Sequence, residues 1–581
     1  MTPAPSDTAE ASEAAVGTTL VAGPTVRHLR QVLLWPLRLM PARGAADGAG
    51  GHRSPWQVLR DLGDASPWRE VVDEYTDAKQ TFHERHYNEF VTFLPYVQRF
   101  LYGDGRSGRH AGGRDADAPM RVFRRHDIRR VRVTARPGGP PLTLDIVHVD
   151  LYFFFDVDVV LLNVELGADN LSLAQAQEQL HRFGRGYPAG WDPAGQALNM
   201  MSSVEWLGEH GELLARSDAQ QRDAFLLHVS QHRAPRIAAH WAYMLRPLVA
   251  DHSDEPGALR YRQIEYHRMP MMGYLALDEP RALTRNDFIR LGMVTGGGGT
   301  DAAEADGSVL PYAKEHLADF EKRFCYDRFW ANAGPAPNTR YLCSGHALIV
   351  VGDARAQYFG CGERGVLAQF RHQHFLLFLI AHFQKAALLM WSDKLVEALK
   401  GLDVGDAASV RGFKRAIRAS FEGFLRFTHR YWFHEVSEQA QVRALFHLCA
   451  QHLGLDPLYD EVKERIADMN SYLDADSLRR QANTVVRLTV VTILGLIGTV
   501  TTGFLGMNLL AEADAPLTRR LVIFGSVFVV TIGLTLYTIT KSKGLSDFLD
   551  ALSDERLSVW MKVKAFAAVW RRGSDAQQRR D

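Results

Sequence analysis

The chain has 581 residues, with 67 Lys+Arg balanced by 67 Asp+Glu. Zero net charge gives no sign of a nucleic-acid partner, and the length allows several domains. The four cysteines, Cys325, Cys343, Cys361 and Cys449, stand in irregular contexts unlike a disulfide framework, which agrees with a reducing compartment.

In chain order, residues 1–54 read as a flexible N-terminal segment rich in Ala, Gly and Pro, with no basic start and apolar core of a secretory signal. Within it, Val32 to Leu37, interrupted by Pro36 and flanked by Arg30 and Arg38, reads as a buried strand or the start of a helix rather than a segment lying on a membrane surface. Residues 55–365 are expected to form an α/β domain. A helical pattern from Trp56 to Tyr102 opens it, and strands follow at Met120–Phe123, Val131–Thr134 and across Leu142–Leu166. Asp156 and Asp158 fall at or near a hairpin bend. Helices are expected at Leu171–Phe183 and Arg222–Leu248, and a further strand at Ala347–Val351. Residues 366–484 read as a long-helix bundle and stalk: Val366–Leu399, then Ser409–Gln451, then a break at Asp456-Pro457 before Leu458–Leu478. The apolar stretch Phe375–Ala381 is interrupted by His382, Gln384 and Lys385 after about seven residues, too few to cross a bilayer, so a buried helix is expected there.

The most informative feature lies near the C-terminus. An apolar run from Leu488 to Leu505, about 18 residues, approaches the length a helix needs to cross a bilayer core. It closes on Gly506-Met507-Asn508, a short loop follows, and a second apolar run extends from Leu521 to Ile539. The expected parts are a first span at 485–508, an outer loop at 509–519, a second span at 520–541 and a C-terminal tail at 542–581 with amphipathic helical spacing. Arg479, Arg480 and Arg487 precede the first apolar run, and Lys541, Lys543 and Arg556 follow the second. This bias places both termini in the cytosol and the loop outside.

Two C-terminal spans with Gly-Met-Asn at the exit of the first resemble the CorA family of magnesium channels, over roughly the last hundred residues. The order of parts, an α/β cytosolic domain, long helices and two C-terminal transmembrane helices, is also that family's. Leu505 and Leu509 flank the motif where an aromatic often stands in the family. The resemblance implies a passive channel for a divalent cation, Mg2+ first, in the inner membrane, assembled as a homopentamer with the first span lining the pore. Gly506, Met507 and Asn508 would then form the selectivity mouth. Gly503, Thr499, Leu496, Thr492, Leu488 and Val485 fall on one helical stripe leading up to Asn508, so they would face the conduit. Helix packing through small residues explains the same stripe without a pore. Neutral Asn and Thr oxygens suit an ion that keeps its water shell, and Leu and Val could gate by dewetting. Glu512 and Asp514 could concentrate cations at the mouth or simply be solvated. The acidic residues Asp145, Asp150, Asp156, Asp158 and Glu165 are candidates for cytosolic magnesium sensing, as acidic sites act in the family, against a default of solvated strand edges and turns.

Other signals carry less. Gly360-Cys-Gly-Glu-Arg-Gly365 matches a dinucleotide-loop pattern, but the strand before it ends too early and a tight turn explains it. The Cys and His spacings do not match a zinc site, and no nucleophile–base pair appears, so catalysis is not expected. Two alternatives stand beside a magnesium channel: a zinc, cobalt or nickel transporter, and a membrane-anchored sensor or scaffold that conducts little.

Overall fold

The structure is a computed structural model that describes residues 24–40, 54–71, 84–103, 119–296 except 266, 310–506 except 311, 404 and 405, and parts of 516–537. The chain divides into two compact units, Met1–Glu464 and Arg465–Asp581.

The first unit is built on one mixed sheet whose described strands are β1 (Thr25–Met40), β2 (Trp68–Glu70), β3 (Met120–Arg125), β4 (Arg130–Thr134), β5 (Pro141–Phe154), β6 (Val157–Ser172), β7 (Ser203–Leu207), β8 (Leu213–Arg216), β9 (Leu248–Ala250), β10 (Leu259–Gln263), β11 (Met271–Leu277), β12 (Cys325–Tyr326), β13 (Arg340–Cys343) and β14 (Ala347–Asp353). The main path runs β12-β13-β14-β11-β1-β6-β5-β4-β7-β8, with β10 also on β1 and β3 also on β5. Most pairs are antiparallel, whereas β11 runs parallel to β14 and β9 to β10. The hairpin of β5 and β6 turns at Phe155-Asp156, as expected for a bend there; Asp156 takes φ 61° and Asp158 is the second residue of β6.

Residues 25–40 correct the expectation of a flexible segment over 1–54, because they form a central strand with β6 on one side and β11, then β10, on the other. The buried run, Val32–Leu39, contains the stretch Val32–Leu37 read as a strand or the start of a helix; it is a strand, and it extends well beyond that stretch in both directions. Pro36 is tolerated in mid-sheet for a specific reason. The Leu34 amide donates to Pro270 O on the β11 side, and residue 36 shares that orientation. There β11 has ended and β10 pairs only from Leu37, so the missing N–H costs no ladder bond.

The two faces of the sheet bury different cores. On one, Leu33, Trp35, Leu151, Leu162 and Val164 join Phe183, Trp206 and Trp241, with Trp35 and Trp241 edge-to-face at 6.1 Å. This face is covered partly by the helix Leu173–Arg182, capped by Ser172 as a capping box. The other face is covered by the helix Phe375–Lys400, which packs on β1 and β6 and stacks Phe383 on Phe154 at 3.8 Å. The helices Ala407–Tyr431 and Ala440–Leu453 pack outside it.

Four helical expectations are corrected. The helices after residue 366 are not a separate bundle, since the first unit runs to Glu464. The run expected over Ser409–Gln451 breaks between Tyr431 and Ala440, and that over Arg222–Leu248 breaks at Arg233, which is left-handed at φ 54°. Asp456-Pro457 is not a break. The helix Leu455–Gly506 passes through it because a proline in the first turn lacks only an N–H that has no intrahelical partner. The chain reverses one step earlier, at Gly454 with φ 65°.

Candidate functional site

The second unit carries the stripe singled out in the sequence. Val485, Leu488, Thr492, Leu496, Thr499 and Gly503 all lie on the helix Leu455–Gly506 and all are exposed in the single chain. At about 100° per residue, Val491, Leu494 and Gly498 lie on roughly the opposite side, and these are half-buried. The reason is the second helix, described over 521–531: a Cβ at Gly498 would stand 3.0 Å from Thr531 Cγ2. A side chain there would separate the two helices.

Six described hydroxyls of this unit follow one pattern. Thr489, Thr492, Thr499 and Thr502 each donate to the carbonyl four residues back, at 2.8–2.9 Å, and Ser526 and Thr531 do the same. Each proton is thus committed to its own helix, and the lone pairs are what the oxygen can offer a partner. Thr492 and Thr499 therefore present acceptors on the exposed stripe. Gly506 ends the described helix, while Met507, Asn508, Glu512, Asp514, the tail 542–581 and its basic residues lie outside the described residues.

Among the described residues one helix is long and apolar enough to cross a membrane, Val366–Lys400, and most of its apolar window is buried inside the first unit. This agrees with its expected place as a buried helix. Thr484–Leu496 is a shorter apolar helix by the same measure.

The five acidic residues considered for sensing do not converge. Asp145 is exposed on β5, across from Arg130. Asp150 is buried and takes Nε and Nη2 of Arg124 at 2.7 and 3.2 Å. Asp156, at the hairpin tip, is held by Arg430 at 3.1 Å and Arg426 at 3.7 Å, and Asp158 by Lys394 at 2.6 Å. Glu165 is buried and takes both Nε and Nη2 of Arg371, at 2.7 and 3.4 Å. Four of the five thus have a basic partner of their own. Among the described residues no group of three or more His, Cys, Asp or Glu side chains is placed to hold a metal. The hairpin acids instead clamp the sheet to the helices that cover it.

Register brings together a polar island that sequence reasoning split into separate acids. His148 lies opposite Glu165, and Asp150 opposite both Asn163 and Arg124, all on the face covered by the helix Phe375–Lys400. The chain enters that helix through a π-helical turn, Phe370–His374. Arg371 of this turn reaches Glu165, and His372 reaches Glu89 at 3.1 Å. Burial first, then the Arg124 charge, pushes His148 down to about 4, so the ring is neutral. Its Nε2 lies 3.3 Å from Arg371 Nη2 and must accept there, which places the proton on Nδ1. His148 Nδ1, Asn163 Oδ1 and His372 Nε2 are all buried without a hydrogen-bond partner among the described residues. The period-two alternation of His148, Asp150 and Tyr152 along an otherwise apolar strand was the available sequence signal. His374, two residues on, takes no part and is buried against Tyr341.

The segment Gly360–Gly365 forms the turn between two short helices, Gln357–Gly360 and Val366–Gln369. Hydrogen bonds from the backbone N–H groups of Arg364, Glu363 and Gly365 hold the Cys361 thiol below the usual thiol range. Burial pushes Cys325 up to about 12.

No protein-family profile, curated protein or solved structure matches this chain.

Proposed function

We propose that this chain is a passive divalent-cation channel of the CorA type, with Mg2+ as its ion, spanning the inner membrane twice near the C-terminus with both termini in the cytosol. The observation that carries the proposal is the second unit's surface. Leu488, Ile493 and Leu496, at different azimuths of one helix, and Leu521, Val522, Phe524, Val529 and Val530 of the next are each more than half exposed. So much uncovered apolar surface calls for lipid, further copies of the chain, or both. Hydroxyls bonded to their own backbone meet the requirement that polar groups in lipid be satisfied within the segment.

The stripe from Val485 to Gly503 would line the conduit, opposite the face that meets the second helix. Its threonine lone pairs accept hydrogen bonds, which suits the water shell of a cation, and Mg2+ dehydrates reluctantly. Asn508 would repeat that chemistry at the mouth, next to Gly506 and Met507, with Glu512 and Asp514 beyond. Entry is favoured by about 4.6 kcal/mol per 100 mV of interior-negative potential for a doubly charged ion. Liposomes containing the full chain should take up Mg2+, and Asn508→Ala should abolish uptake while leaving insertion and assembly intact. Unimpaired flux in that variant removes Asn508 from the pore. No flux of Mg2+, Zn2+, Co2+ or Ni2+ by the unaltered chain leaves the membrane-anchored sensor in its place, and preference for one of the other three ions changes the cargo.

A further inference from the structure

We propose that the first unit docks onto a second copy of this chain through two oppositely charged stripes, one on the helix Ala407–Tyr431 and one at the start of the helix Leu455–Gly506. The proposal rests on the channel reading only in taking the assembled form to be a ring of copies.

The helix Ala407–Tyr431 is two-sided. Phe413, Ile417, Phe424 and Phe427 are buried on one face, while Arg411, Arg415 and Arg418 are exposed on the opposite one. Their i, i+4, i+7 spacing aligns them over about 10 Å at 1.5 Å per residue. Arg411 also acts electrostatically on the Asp406 cap of its own helix. No ion pair is seen for Arg415 or Arg418 among the described residues. The other stripe is Asp456, Asp460 and Glu464, spaced i, i+4, i+8 over about 12 Å. All three are exposed, on the side away from the buried Leu455 and Val462. Asp456 has one weak neighbour, His434 at 3.6 Å.

Each stripe points away from the core of its own chain, and the two match in length; one exposed residue of opposite sign stands on each, Glu422 one turn past Arg418 and Lys463 beside Asp460. A surface that carries both halves of a complementary pair on different faces makes a head-to-tail contact, which repeats from copy to copy and closes when the rotation allows. An anionic bilayer surface would answer the arginines and leave the acids unexplained; a second copy answers both. Exposed ion pairs add little affinity each, so the stripes fix partner and register more than strength, and the contact is salt-sensitive.

The test is charge reversal in the full chain, in detergent, with the dissociation midpoint of the oligomer measured by sedimentation against dilution. Arg411→Glu/Arg415→Glu/Arg418→Glu should raise that midpoint about tenfold or more, and so should Asp456→Lys/Asp460→Lys/Glu464→Lys. All six changes together should return it to the starting value, because the stripes have exchanged sign. Circular dichroism and a cooperative melt verify that each variant folds. Three outcomes overturn the proposal: a midpoint unmoved by either triple change, no recovery in the sixfold variant, or an unaltered chain that is monomeric throughout. So does an arginine variant with unchanged assembly that loses binding to phosphatidylserine vesicles, which assigns the stripe to lipid. Charge-swap recovery in a chain without ion flux would reject the channel reading alone.

Discussion

Asp150→Asn and Glu165→Gln remove a negative charge with little change of shape, and they separate two roles for these residues. If the carboxylates are structural, each substitution strands a guanidinium that its partner had neutralised. The side chains of Asp150 and Glu165 are 2 % and 7 % exposed, while those of Arg124 and Arg371 are 30 % and 26 % exposed. Breaking a buried pair costs on the order of 3–5 kcal/mol. Water reaching the partly exposed arginines reduces that to roughly 2 kcal/mol per substitution, or about 4 °C in melting midpoint at a few degrees per kcal/mol. Asp150→Asn combined with Arg124→Met should recover part of the loss, which isolates the pair in a double-mutant cycle. Melting of the purified full chain with and without Mg2+ is the assay. Both single variants should melt lower than the unaltered chain in either buffer, with any Mg2+-dependent increment unchanged. If they melt higher in the absence of Mg2+ and lose an increment that the unaltered chain displays, the carboxylates repel one another until metal binds and the clamp assignment is wrong.

Burial pushes His240 and His374 down to about 3 from an ordinary value near 6.5, so both are neutral when folded and gain protons on unfolding. Their contribution is whole above pH 6.5 and is lost as pH falls toward 3, about 2 kcal/mol each by pH 5; the denaturation midpoint followed against pH should be flatter below 6.5 in His374→Gln, and parallel curves would contradict this. Cys361 should be the first thiol alkylated by iodoacetamide near neutral pH, since its thiolate is held by backbone N–H groups whereas Cys343 and Cys449 are buried; a fast phase that survives Cys361→Ser would assign it elsewhere. Gly498→Leu should force apart the helix pair at Thr531, at a cost of roughly 1–3 kcal/mol, and lower the thermal stability of the detergent-solubilised chain. Gly495→Leu meets nothing within 4 Å and serves as its control.

Much of the first unit was legible because its strands alternate or run apolar between clear turns. β3 to β6, the helix Leu173–Arg182 and β14 fall where side-chain pattern places them. What escaped depends on partners remote in sequence. Of the strand β1 only Val32–Leu37 was legible, as a buried strand or the start of a helix; its full length and central place come from pairing with β6 and β11, more than a hundred residues on. The polar island escaped for the same reason. Arg371 lies 206 positions from Glu165, so no local spacing announces that the acid is already neutralised. The π-helical turn that aims Arg371 has no sequence mark at all.

The two most apolar helical stretches of the chain illustrate why hydrophobicity alone could not decide their surroundings. In the helix Phe375–Lys400 the polar side chains are tied to other parts of the first unit. His382 Nε2 lies 3.3 Å from Gly345 O, Gln384 Nε2 donates to Tyr431 O at 2.9 Å, and Lys385 pairs with Glu265 at 3.4 Å. Such groups would be costly in lipid and are affordable only where a protein partner waits. In residues 485–502 the described hydroxyls that bond do so within their own helix, from Thr489 to Val485 O through Thr502 to Gly498 O. A segment satisfied in this way asks for no partner along its sides. It can face hydrocarbon or a file of water with the same backbone. The polar residues therefore discriminate better than the apolar ones: charges and amides that reach outward mark a helix built into protein, and hydroxyls folded back onto the preceding turn mark one compatible with a bilayer.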